Sequence, residues 1–103
     1  MEPLRLFATL QTFKSLESWS AIFTHNGWKT IQQPDQLAVK YRGFTGSLEQ
    51  SEPGVLMLRG EIESLEMADR LSSILREAQA QYQIDLFEED GRLLRRLTND
   101  AYT

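Results

Sequence analysis

The chain has 103 residues, 41% hydrophobic and 25% charged, and no cysteine. That composition describes one globular domain without disulfides or thiolate-held metals. Its net charge of −4 is unevenly spread: residues 1–60 carry six basic and five acidic side chains, and residues 61–103 carry five and ten. An acidic chain is a poor general binder of polyanions, because phosphate contacts need a concentrated positive surface.

The opening Met-Glu-Pro-Leu-Arg lacks the basic stretch and apolar run of a signal peptide. No apolar segment approaches the ~20 residues that cross a bilayer. The expectation is a cytoplasmic protein without a membrane partner. It should form a single α+β domain over residues 1–97, with a flexible tail over 98–103.

Leu4, Leu6, Ala8 and Leu10 alternate with Arg5, Phe7 and Thr9, the pattern of a half-buried strand. The period then changes. Leu16, Trp19, Ile22 and Phe23 form one face of a helix that Ser15 can cap and that Asn26-Gly27 can end. Residues 28–33 read as a short polar strand, and Pro34-Asp35-Gln36 as a turn. Residues 37–44 alternate again, with Leu37, Val39 and Tyr41 facing one way and Lys40 and Arg42 the other. Residues 43–54 carry three glycines, a proline and two serines, which predicts a long loop. Val55 to Ile62 is apolar on both faces and reads as an interior strand.

The spacing of Leu65, Ala68, Leu71, Leu75, Ala78 and Tyr82 predicts an amphipathic helix from a Ser64 cap to Tyr82, with Glu66 and Arg70 at ion-pair spacing. A strand over 83–89 follows. Asp90-Gly91 signals a hairpin that returns the chain over 92–97.

With its marginal strands set aside, the order is β-α-β-β-α-β. The predicted fold class is therefore a ferredoxin-like split βαβ sandwich, with two helices on one face of a mostly antiparallel sheet of four to six strands. Alternation then assigns the other face: Phe7, Val55, Met57 and Phe87, among Arg5, Lys40, Arg42 and Arg59. Aromatic side chains ringed by arginine match the composition of protein interfaces, and a contiguous apolar patch on a free face marks association.

The remaining polar motifs point to structure. His25, the one histidine, suits a helix C-terminus, and the serines nearby provide no third group for nucleophilic catalysis. Glu88, Glu89 and Asp90, with Asp85 nearby, suit a solvated hairpin tip whose charges pair across strands with Arg92, Arg95 and Arg96, and so predict no metal. No glycine-rich phosphate cradle or cofactor box is present. Arg42-Gly43-Phe44, with Leu6-Phe7-Ala8, resembles the start of the paired aromatic motifs of RNA-recognition domains, a likeness that lapses at Thr45-Gly46. The expected function is thus a small non-enzymatic protein-binding module, an adaptor or regulatory subunit that binds another protein or a second copy of itself without a cofactor. A small-ligand sensor or enzyme with its site under the 43–54 loop is the second reading, and single-stranded RNA binding the third.

Overall fold

A computed structural model describes residues 3–99. The elements, in order, are β1 (Leu4–Gln11), α1 (Leu16–His25), β2 (Lys29–Gln32), β3 (Gln36–Tyr41), β4 (Phe44–Glu52), β5 (Val55–Ile62), α2 (Leu65–Glu77), β6 (Gln81–Phe87) and β7 (Leu93–Thr98). All seven strands form one antiparallel sheet in the order β2-β3-β4-β5-β1-β6-β7. Since neighbours run oppositely, each helix joins two strands of the same direction. The β5-α2-β6 unit straddles β1, while α1 carries the chain from β1 to the far edge strand β2.

This is not the predicted ferredoxin-like sandwich of four to six strands; the protein is mostly sheet, with seven strands. Two features account for the difference. The short outer strands β2 and β7 are full members of the sheet. Residues 44–52 form β4, where a loop was expected. Phe44, Gly46 and Leu48 keep strand alternation, with Phe44 and Leu48 buried in the core. The glycines there fit a close backbone approach, since Gly46 lies directly opposite Gly60 of β5. Thr98, expected in a frayed tail, ends β7, and Asn99 ties that end to β6. Its Nδ2 donates to the Ala80 carbonyl (2.8 Å), and its Oδ1 accepts the Tyr82 amide (3.2 Å). Residues 100–103 of the predicted tail lie outside the described residues.

One core joins the helices to a single sheet face. Leu6, Ala8 and Leu10 of β1, Leu37 and Val39 of β3, Phe44 and Leu48 of β4, Leu56, Leu58 and Ile62 of β5, and Ile84 and Leu86 of β6 meet Trp19 and Phe23 of α1 and Ala68, Leu71 and Leu75 of α2. Trp28 is the hub of an aromatic cluster. Its ring lies 5.2 Å from Phe23, stacks on Tyr41 at 5.0 Å and meets Phe44 edge-on at 5.0 Å. Arg70 turns over the Tyr41 ring at 5.4 Å, away from the predicted pairing with Glu66. The Nε1 groups of Trp19 and Trp28 are buried without a partner among the described residues. Each such donor costs about 1–3 kcal/mol, which the area buried by two large rings offsets.

The helix ends follow local chemistry. Ser15 caps α1, its hydroxyl accepting the Ser18 amide at 3.1 Å. Ser64 sits at the matching position of α2, but its side chain makes no capping bond. Each helix closes with the same paired bonds. In α1 these are Trp28 N–H to Phe23 C=O and Gly27 N–H to Thr24 C=O; in α2, Ala80 N–H to Leu75 C=O and Gln79 N–H to Arg76 C=O. The second pair stops α2 at Glu77, five residues before the predicted Tyr82, and frees Tyr82 to point into the core from β6. A hydroxyl–hydroxyl hydrogen bond joins Tyr82 to Ser72 of α2.

The closing residue of α1 is Gly27 (φ 88°), whereas α2 uses Gln79 at φ 63°. A side chain in this left-handed region costs about 1 kcal/mol. Gln79→Gly should therefore raise the stability by about 0.5–1 kcal/mol, net of the added freedom of the unfolded chain. Urea denaturation would measure the gain, and a loss of stability would show that Gln79 makes contacts worth more than its strain.

Candidate docking surface

With both helices on one side, alternation sends the intervening strand residues to a face that no element of the described chain covers. The strand register orders that face in rows. Across the middle, Ala38, Ser47, Arg59, Phe7, Asp85 and Arg96 stand side by side on β3, β4, β5, β1, β6 and β7. The adjoining row reads Lys29, Lys40, Thr45, Glu61, Arg5 and Phe87, from β2 through to β6.

Phe7 is the centre of the middle row, with Arg59 and Asp85 as its neighbours on either side. The Arg59 guanidinium lies over its ring, 5.5 Å from the centroid. On the other side Asp85, buried on this face, accepts Arg96 Nε at 2.7 Å and Nη2 at 3.4 Å. The hydrogen bond that Arg96 donates to Asp85, and then the charge of Asp85, hold the Arg96 guanidinium above its usual pKa. Arg5, Phe7, Arg59 and Phe87 together line a shallow, mostly apolar depression of about 530 Å³, to which Leu6, Gly60 and Glu61 also contribute.

Of the eight residues assigned to a partner surface, Arg5, Phe7, Arg59 and Phe87 thus converge. Val55 and Met57 lie on the same face toward the other end of β5, both half-buried. Lys40 shares the face but stands on β3, three strands from Arg5. Arg42 does not join it: with Gly43 (φ 80°) it makes the tight turn between β3 and β4. Together with Lys29 and Lys40 it lines a separate hollow at the sheet end, of about 1020 Å³, where Glu61 and Glu63 supply opposing charge.

Sequence reading misses four residues of the face. Ile31, 65% exposed, stands opposite Ala38 at the outer end of the middle row; its alternation with Thr30 was the available signal. Leu93 stands opposite Phe87 only because of a register shift beside Leu86, which no alternation count anticipates. Asp85 and Arg96 pair across strands, a contact that needs the register.

The other motifs settle into structural roles. Phe44, the aromatic of the RNA-like motif, is buried under the helices, while Phe7 lies on the opposite face, so the two rings cannot form one stacking platform. His25 is exposed at the last turn of α1. Ser15 and Ser18 bond to each other at the α1 start, and Ser20 bonds to Thr30 at 2.8 Å. Asp90 pairs with Arg92 at 3.1 Å. Among the described residues no cluster of three or more acidic or histidine side chains has metal-binding geometry. No helix of the described chain is long and apolar enough to cross a membrane. Residues 43–54, expected as a loop over a ligand site, are instead β4 with the turns at its two ends.

No protein-family model matches this chain, and a search of curated proteins finds no relative.

Proposed function

We propose that this chain is a small, non-enzymatic docking module of the cytoplasm, an adaptor or regulatory subunit whose open sheet face seats another protein. One observation carries the reading: two phenylalanines and two arginines line a single apolar depression on the sheet face that the helices leave uncovered. Planar cations beside aromatic rings are the groups that dominate protein interfaces, since they give large contact area and directed hydrogen bonds at modest entropic cost. The side chains on the face offer contact and charge, with no activated nucleophile or acid–base pair among them.

A photoreactive amino acid installed at Met57, compared in its native host with one at Ser73 on the exposed side of α2, tests the reading. Capture at Met57, absent at Ser73 and abolished by Phe7→Asp, is the expected outcome. Equal capture at the two positions, or none at Met57, contradicts it.

A further inference from the structure

The occupant of the open face can be read from its arrangement, taking the docking role above as given. We infer that it is a second copy of this chain, packed sheet against sheet about a two-fold axis running along β1 through Phe7.

Three observations lead there. The first is layering. A sheet with helices on one face and apolar side chains on the other is half of an α-β-β-α stack, and two sheets pack face to face about 10 Å apart. The second is size. With the axis on β1, the strands β4, β5, β1, β6 and β7 of the two copies overlap, so four strand spacings cover about 19 Å and an eight-residue strand about 26 Å. That overlap of roughly 500 Å² per copy, before side-chain relief is counted, brings the total to the ~1,000 Å² at which specific interfaces begin.

The third is the order of charges along the rows. Rotation about an axis on β1 lays β5 of one copy over β6 of the other. In the middle row Phe7 then meets Phe7, and each Arg59 meets the second copy's Asp85, already fixed in place by Arg96. Arg59 has no carboxylate of its own chain within 4 Å among the described residues, so this contact supplies one. Each Arg96 falls on the second copy's Ser47, next to Glu49. In the adjoining row the two Arg5 side chains meet, but each stands between its own Glu61 and the second copy's Glu61, an alternating cluster of four charges. The like-charge contact is compensated on both sides; in the same row each Phe87 faces the second copy's Glu61, and Lys29 and Lys40 stand outside the overlap, so the middle row carries the complementarity.

The chain has no cysteine, which makes the geometry directly testable. Light scattering at micromolar concentrations should give twice the 11.9 kDa chain mass. Phe7→Asp should weaken association about thirtyfold or more while keeping the circular dichroism of the parent. Thr9→Cys, placed on the axis, should join to its own counterpart with a short bis-maleimide, whereas Ser73→Cys on α2 should not. A monomeric parent overturns the self-pairing, as does a dimer indifferent to Phe7→Asp, or one linked through Ser73→Cys and not Thr9→Cys. A monomer whose Met57 photoprobe still captures another protein overturns only the self-pairing. If no Met57 adduct forms either, the docking reading falls with it.

Discussion

Gly60→Val should destabilise this protein by about 3 kcal/mol or more and lower its thermal midpoint by roughly 10–25 °C. A Cβ built on Gly60 lies 2.5 Å from the Thr45 carbonyl oxygen and 2.9 Å from the Gly46 Cα, and one built on Gly46 lies 2.6 Å from the Arg59 carbonyl oxygen. These are backbone atoms of the paired strands β4 and β5, so no side-chain rotation relieves the overlap. The strands must separate at the centre of the sheet, where β5 also pairs with β1. Total stabilities are of order 5–15 kcal/mol, so such a loss removes a large share. Gly91→Ala provides the contrast. Gly91 has φ 88° but nothing within 4 Å of its Cβ position, so only backbone strain of about 1 kcal/mol applies. Differential scanning calorimetry of both variants decides the matter. A Gly60→Val protein as stable as its parent would mean that β4 and β5 do not approach this closely.

That glycine pair also shows where sequence reading succeeds and fails. The composition of residues 43–54 suggests flexibility, because glycine and serine are as common in loops as at close backbone contacts. Only the pairing of Gly46 with Gly60, fourteen residues later, distinguishes the two meanings. Two apolar positions, Phe44 and Leu48, were the sole local hint of a strand. The α2 boundary fails for a similar reason. Ala78 to Tyr82 has good helix formers throughout, and it is the demand of β6 for Tyr82, Ile84 and Leu86 in alternation that turns the chain at Gln79.

The faces, by contrast, were legible. In β1, β5 and β6 the alternation is uninterrupted, so Phe7, Val55, Met57 and Phe87 separate cleanly from Leu6, Leu56, Leu58, Ile84 and Leu86. Arg42 failed because alternation was carried one residue too far, into a turn that needs Gly43 in the left-handed region. Cross-strand pairing of the acidic cluster with Arg92, Arg95 and Arg96 was legible, but that Asp85 takes Arg96 and does so on the open face depends on register, which turn geometry and packing fix together.

β1 divides its side chains between two different environments, and adjacent residues test this most sharply. Leu6 is buried beneath the helices with 3% of its surface exposed, while Phe7 is half-buried on the open face. Leu6→Asp loses the transfer of a leucine, about 2–3 kcal/mol, and adds a carboxylate that must stay neutral or unpaired in the core. It should cost more than about 4 kcal/mol and leave little folded protein at 25 °C. Phe7→Asp gives up the contact with Arg59 and part of a ring's burial, and places a carboxylate beside Asp85 but also beside Arg59. It should cost about 1–2 kcal/mol. Urea denaturation of the two variants beside the parent, in dilute protein so that association contributes nothing, is the most direct measurement. An unfolded Leu6→Asp and a folded, cooperative Phe7→Asp are expected; comparable losses in both, or a larger one for Phe7→Asp, would mean that β1 has no open face.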